Sequence, residues 1–299
     1  MHYVIGDVHG CFRELMLLLE KIEQADKKAR FIFVGDFVDR GPEVMKVLDW
    51  AMSHIKRTGK YRSVMGNHEA MLIVWYRNFC RWYERERRDH PAPDPAYDFL
   101  DRLIEAGKNT PEAAEPYIDF FRSLPLRIRV RVPGRAGRLV TYDIVHAFTP
   151  PKEAAKKEKT ECYLWDRDRA LAGNQDNEHI IVHGHTPTTF EAKFDKESVP
   201  GLITYRKNAV NVDGGCVLTP KHPEAPCMMC ALCLETLEEI YPFTMEERMK
   251  EQMPQASAKL VKAAAETLEK RHAAYLNNAF RKEMLGRLKG DSKRAWIGN

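Results

Sequence analysis

Apolar positions in the first 70 residues switch between two spacings. Tyr3–Ile5, Phe31–Val34 and Tyr61–Met65 are short runs that predict strands. Between them Phe12, Leu15, Leu18, Leu19 and Ile22 recur at helical spacing over Cys11–Ile22, and Val44–Ile55 predicts a second helix. Repeated strand–helix units predict a largely parallel sheet covered by helices. In such sheets ligands gather beyond the carboxyl ends of the strands.

The pattern then changes. His68–Asp89 predicts a long helix carrying Trp75, Tyr76, Phe79, Trp82 and Tyr83, broken by Pro91-Ala92-Pro93-Asp94-Pro95. Phe99, Leu100, Leu103 and Ile104 predict a short helix closed by Gly107. Thr110-Pro111 reads as the cap and first position of a helix ending near Leu124. The block from about 70 to 124 is therefore expected as a helical insert beside the sheet. Its aromatic stripe suits core packing, with part of it available as a substrate wall. Strands are expected again at Arg127–Val132, Leu139–Val145, His179–Val182, Leu202–Tyr205, Ala209–Val212 and Leu232–Ile240. Residues 255–288 carry Leu260, Ala264, Leu268, Leu276, Phe280, Met284 and Leu288 in an amphipathic helical pattern. That stripe must bury against the catalytic region or against a second copy, so a homodimer through the C-terminal helix is one expectation. The expected division is a catalytic domain over 1–241 and a helical extension over 242–299.

Composition adds little beyond exclusions. Hydrophobic content of 44% and charged content of 30% are ordinary for a soluble globular chain. No apolar run approaches the roughly 20 residues of a membrane span. The chain opens directly on a strand, which leaves no stretch for a secretory signal. Seven irregularly spaced cysteines do not form a disulfide framework at this size. These features together predict a cytoplasmic protein. From Pro242 onward there are 12 Lys/Arg against 7 Asp/Glu, while the remainder carries 35 against 36. The basic excess thus sits in the tail, where it reads as a solvated helix face. A nucleic acid partner is not expected, because a nuclease would need a basic groove in the catalytic region.

The chemistry lies at the predicted strand ends. Gly6-Asp7-Val8-His9-Gly10, Gly35-Asp36-Phe37-Val38-Asp39-Arg40-Gly41 and Gly66-Asn67-His68-Glu69 each follow a strand. His146 follows the strand ending at Val145, and His185 lies in His183-Gly184-His185-Thr186-Pro187 after Val182. One histidine in such a place is usually structural. Five strand-end segments supplying Asp, His, Asp, Asn, His and His are a much rarer coincidence. Oxygen ligands mixed with imidazole suit a pair of divalent cations, and a carboxylate shared by two cations is a device for hydrolysing phosphate esters.

On these motifs the chain, from Tyr3 to about Tyr241, resembles the calcineurin-like metallophosphoesterases. It is similar to the phosphoprotein phosphatase branch with its small bacterial and phage Ser/Thr phosphatases, and also to the bacterial diadenosine tetraphosphate hydrolases. The resemblance implies an α/β fold, a four-layer αββα sandwich of two mixed sheets flanked by helices. It implies two divalent metal ions, with Mn2+ first in line and Fe or Zn as alternatives. Asp7 and His9 would hold one metal, Asp36 would bridge, and Asn67, His146 and His185 would hold the other. A metal-bridging hydroxide would attack phosphorus in line, with His68 as general acid and Asp39 orienting it. Arg40, Arg167 and Asn67 would contact the substrate phosphate. The alternatives for Asp39 and Arg40 are a loop cap and a surface salt bridge.

The family's protein phosphatases usually carry arginine before Gly-Asn-His-Glu; here Met65 stands there, as in the dinucleotide hydrolases. Glu69 and Val38-Asp39-Arg40-Gly41 keep the protein phosphatase pattern. These features point both ways on substrate; the leading expectation is a phosphoprotein bearing phosphoserine or phosphothreonine, with phosphotyrosine also included, and the alternative is a dinucleoside polyphosphate. Cys227, Cys230 and Cys233, with Cys216, have spacing that would allow a metal site, yet they also fit a buried strand. His183 is expected to support the site from behind, and His179 has no assigned role.

Overall fold

The computed structural model describes residues 1–87, 90–95, 97–176, 178–221 and 225–288. The N-terminal units form as expected: β1 (His2–Ile5), α1 (Phe12–Ala25), β2 (Arg30–Phe33), α2 (Val44–His54) and β3 (Tyr61–Ser63). The three strands pair in parallel, with Val4 opposite Ile32 and Phe33 opposite Ser63. The helical insert follows as α3 (Asn67–Arg85), α4 (Phe99–Glu105) and α5 (Pro111–Ser123). Gly107 takes φ +66° just past α4, a conformation that glycine adopts without steric cost. Thr110 caps α5 through Oγ1, which accepts from the Ala113 N–H at 3.3 Å. The long aromatic helix stops at Arg85, short of the expected Asp89, which lies outside the described residues.

The second half supplies β4 (Arg127–Pro133), β5 (Leu139–Val145), α6 (Lys156–Trp165), α7 (Arg167–Ala172), β6 (His179–His183), α8 (Thr188–Glu191), β7 (Thr204–Arg206) and β8 (Ala209–Asn211). These strands make a mixed sheet in the order β4-β5-β6-β8-β7, parallel across β5, β6 and β8 and antiparallel at both edges. The expected strand Leu232–Ile240 is instead a hairpin, β9 (Ala231–Cys233) and β10 (Glu239–Ile240), added antiparallel to β1. The chain reverses because Leu237 adopts φ 53° and its N–H returns to the Cys233 carbonyl at 2.8 Å. The first sheet therefore runs β10-β9-β1-β2-β3.

Period-two alternation stacks the two sheets. Val4, Ile32, Val64 and Leu232 from one sheet pack with Ile128, Val130, Tyr142, Ile144, Val182 and Val210 from the other. Tyr3, Ile5, Phe31 and Phe33 point the opposite way, into a core with Leu15, Leu18, Val47, Leu48, Phe79 and Phe121 of the helices. On the far side Ala170 of α7 covers Ile181 and Ala209. The result is the expected αββα sandwich of two mixed sheets.

The C-terminal pattern resolves into α9 (Met245–Gln252), α10 (Ala258–Tyr275) and α11 (Ala279–Arg287), with Asn278 capping the last by accepting from the Phe280 N–H at 2.8 Å. The single amphipathic stretch is thus two helices, broken where Asn277-Asn278 favours a turn and a new cap. Only part of the expected stripe is buried within its own chain: Met284 and Leu288 are buried, Ala264, Leu268 and Leu276 are half-buried, and Leu260 and Phe280 stay exposed, the buried apolar positions of α10 being the neighbouring Val261, Ala265 and Tyr275. Val261 and Ala265 pack with Val199, Leu202 and Met228, while Tyr275, Met284 and Leu288 extend the core between the sheets. Among the described residues no helix is long and apolar enough to cross a membrane.

Candidate metal centre and active site

The strand ends of both sheets open on one edge. Asp7 leaves β1, Asp36 leaves β2, Asn67 begins α3 just after β3, His146 directly follows β5, and His185 lies two residues beyond β6. All five side chains are buried, as are His9, Asp39 and His68. The loops approach so closely that side chains are excluded at two glycines. A Cβ on Gly66 would lie 2.1 Å from Asp36 Oδ1, and one on Gly184 would lie 2.1 Å from Asp7 Oδ1. Among the described residues nine non-glycine positions have left-handed φ, and five of them are His9, Asp36, Asp39, Arg40 and His185. Backbone strain of this sort concentrates where side-chain aim matters more than local comfort.

Asp36 is central. Its Oδ2 lies 3.4 Å from His9 Nε2, 3.5 Å from His146 Nε2 and 3.9 Å from His68 Nε2. Two ring orientations are set from behind. His9 Nδ1 donates to the Val38 carbonyl at 2.7 Å and His146 Nδ1 donates to the Val34 carbonyl at 2.8 Å, so each presents an Nε2 lone pair inward. Asn67 Oδ1 lies 2.7 Å from His146 Nε2 and 2.9 Å from His185 Nδ1. The His185 backbone N–H donates to the Asp7 carboxylate at 3.2 Å, tying the two sheets together across the site.

Burial drives the electrostatics. It pushes His9 down to about 3 and also lowers His146 and His185, so these rings are neutral and available as ligands. Burial also raises Asp7, which sits beside the carboxylates of Asp213 and Asp36. For Asp36 burial acts upward, but positive charge on the surrounding rings, His146 first and then His68 and His9, acts downward and outweighs it, placing the carboxyl below its ordinary value. Buried carboxylates crowded among neutral imidazoles fit a divalent cation. Asp7, Asp36 and His146 present ligand atoms within 4.8 Å of one another, and so do His9, Asp36 and His68. Asp36 belongs to both groups, as a bridging ligand would. His68 falls in the second group by distance, yet its Nδ1 is engaged by Asp39 Oδ2 at 2.6 Å.

Arg40 reaches across this pair, with Nη1 2.9 Å from His9 Nε2 and Nη2 3.0 Å from His68 Nε2. Arg167, at the start of α7, brings Nε to 3.3 Å from His185 Nε2. Every residue expected at the site is therefore brought to it.

Three neighbours have no role in the expectations above. Glu69 accepts from the backbone N–H groups of Asp36, Phe37 and Gly66 at 2.9, 2.8 and 2.9 Å, clamping the Asp36 loop. Its place in Gly-Asn-His-Glu was the available signal. Asp213 is buried beside Asp7 and pushed up to about 7 by burial, against an opposing hydrogen bond from the Gly215 N–H. It lies just past a strand with a glycine beside it, Gly214 after it where Asp7 and Asp36 have Gly6 and Gly35 before them, and could have been found on that looser pattern. Tyr97 sets its ring 4.5 Å from His68 at a tilt of 38°, and the Arg40 guanidinium lies 5.7 Å over it. No local pattern marks it.

The cysteines do not converge. Cys216 Sγ points to the Asp7 carbonyl at 3.6 Å, Cys230 Sγ to the Met228 carbonyl at 3.3 Å and Cys233 Sγ to Met1 Sδ at 3.7 Å. Among the described residues no group of three or more thiols shares a metal-sized space. His183 packs edge-on against Phe148, and His179 lies 3.5 Å from Asp143, away from the site.

Two stacked mixed sheets that deliver carboxylates and imidazoles around one shared aspartate define a metal-binding hydrolase. The chain belongs to the calcineurin-like phosphoesterase family, whose model matches residues 3–213. It is 28% identical over 209 residues to serine/threonine-protein phosphatase 2 of Salmonella typhimurium, covering 64% of this chain and 82% of that one. It is 44% identical over 104 residues to the symmetrical bis(5'-nucleosyl)-tetraphosphatase of Hamiltonella defensa, covering 35% of this chain and 36% of the relative. A solved metallophosphoesterase from Sphaerobacter thermophilus aligns over 88% of this chain and 97% of its own, at 17% identity and a TM-score of 0.43.

Proposed function

We propose that this phosphoesterase is a protein phosphatase acting on phosphoserine and phosphothreonine through a dinuclear metal centre. The observation that carries the catalytic reading is the Asp39–His68 pair beside Arg40 and the shared Asp36. Asp7, His9, Asp36, Asn67, His146 and His185 are the residues that would hold two divalent ions, with Mn2+ expected and Fe or Zn compatible. When bound, such ions supply Lewis acidity that activates water and neutralises phosphoryl charge.

The chain's own residues do the rest. Asp39 fixes the His68 proton on Nδ1 and aims Nε2 at the site. Burial lowers His68, but Asp36 and the Asp39 hydrogen bond outweigh it and raise its affinity for a second proton. A protonated His68 can then donate to the departing alkoxide. Arg40 beside His9 and His68 and Arg167 beside His185 are guanidinium groups that can bind phosphoryl oxygens, and Asn67 adds an amide. The protein substrate is favoured by the Val38-Asp39-Arg40-Gly41 and Gly66-Asn67-His68-Glu69 motifs. It is favoured too by a similarity that runs along 82% of a Ser/Thr phosphatase.

A second reading has its own support. Met65 stands before Gly66, and exposed rings of Tyr97 and Trp165 contact His68 and His185 on the two sides of the site. Such rings suit the bases of a dinucleoside polyphosphate. The deciding test is turnover of a phosphoserine peptide against diadenosine tetraphosphate with manganese supplied. Faster peptide turnover is the expected result; the reverse order would transfer the assignment to the nucleotide.

A further inference from the structure

On the face of the second sheet turned away from the first lies a cavity of about 420 Å³, bordered by β4, β5, β6, α6 and α7. None of the residues assigned to the metal centre lines it. Its origin is legible in β4, where Ile128, Val130 and Val132 turn inward and Arg127, Arg129 and Arg131 turn outward. Four cationic side chains, Arg127, Arg129, Lys152 and Arg169, line the cavity against the carboxylates of Asp143 and Asp176, an excess of two positive charges.

The pairing is lopsided. Asp143 is buried and holds Arg129 in a bidentate pair at 2.7 and 2.9 Å. Arg127 stands 3.9 Å from the same carboxylate and His179 3.5 Å, so several donors share one acceptor. Arg169 is turned toward Asp166 at 3.4 Å. Lys152 makes no ion pair among the described residues. With Asp143 committed to Arg129, Arg127 and Lys152 share only that long contact and the Asp176 carboxylate across the cavity, so net positive charge is left for a ligand. Phe148, Pro151 and Tyr163 add apolar wall. A bare phosphate would leave most of this volume unfilled, since cavities of roughly 300–1,000 Å³ accept whole organic ligands.

We propose that this cavity binds an organic phosphate of nucleoside-monophosphate size, its anionic group held by Arg127 and Lys152 and its body against Phe148 and Tyr163. The proposal does not depend on the reaction assigned to the metal centre. The test is calorimetric titration of the full-length, manganese-loaded protein with the methylenephosphonate analogue of AMP, which a phosphoesterase cannot cleave. Binding at a site additional to the metal centre is expected, with density in the cavity after soaking crystals. The exposed double substitution Arg127→Ala/Lys152→Ala should weaken that site at least tenfold and leave turnover of p-nitrophenyl phosphate unchanged. Lys152→Ala alone, a milder change, should weaken it in the same direction. The proposal is overturned if the variants bind as the parent does, if the analogue occupies only the metal centre, or if adenosine binds as tightly as the analogue. It is overturned equally if inorganic phosphate matches the analogue, because the apolar wall would then contribute nothing.

Discussion

Asp36 sits among three imidazoles, and each proposed role turns on one of its neighbours. Asp36→Asn keeps the shape but removes the charge that two cations would share. The variant is expected to lose bound metal and activity together, measured by elemental analysis alongside turnover; retention of two metal equivalents would refute the bridging role. His68 calls for the opposite outcome. His68→Asn should keep its metal and lose roughly 10²–10⁴-fold in kcat at neutral pH, the usual worth of a positioned acid. Full activity in that variant would remove His68 from the reaction. These residues were legible in the sequence because each lies directly past a strand, where a glycine-flanked motif announces it. Tyr97 was not. It reaches His68 from the middle of the helical insert, between α3 and α4, a tertiary contact that no periodicity encodes.

At the scale of elements, the insert and the α6–α7 corner bring exposed aromatic rings to the site from separate parts of the chain. Tyr97 is 42% exposed and Trp165 44%, so neither is held there by core packing. Stacking on a base is worth roughly 1–3 kcal/mol, or about 5- to 150-fold. Tyr97→Ala and Trp165→Ala should each raise KM for diadenosine tetraphosphate within that span, and change KM for a phosphoserine peptide little. Equal losses on both substrates would mean that the rings shape the site and do not select the substrate. Elements with one strong face were readable, as α1 shows with Leu15, Leu18, Leu19 and Ile22 buried. Those with a weak face were not: α6 buries only Cys162 and Leu164, and its charged sequence gives no stripe. The β9–β10 reversal escaped for a different reason. Its left-handed residue is Leu237, buried in the core between the sheets, where a turn would ordinarily be marked by glycine or asparagine.

For the molecule as a whole, the C-terminal helices complete the sandwich. Arg248 of α9 pairs with Glu14 of α1, and the Tyr275 hydroxyl accepts from the Tyr205 N–H at 2.9 Å. The tie with the most partners is at Glu239 on β10, whose side chain is 5% exposed. Its carboxylate accepts from Tyr205 Oη at 2.7 Å, from Tyr241 and from His272 Nε2 of α10 at 2.9 Å. Burial alone would raise Glu239, but His272, Tyr241 and Tyr205 outweigh it and hold it below its ordinary 4.5. A depressed carboxyl contributes stability that is fully present above the unfolded pKa and is lost as pH falls through the lower folded value. The parent protein should therefore lose melting temperature as pH drops below about 4.5, beginning with release of α10. Glu239→Gln keeps the shape without the charge and should cost on the order of 3 kcal/mol at neutral pH. It should also flatten part of the acid limb of the melting curve. If the variant melts like the parent at pH 7 and shows the same acid slope, this buried tie does not hold the C-terminal helices to the sheets.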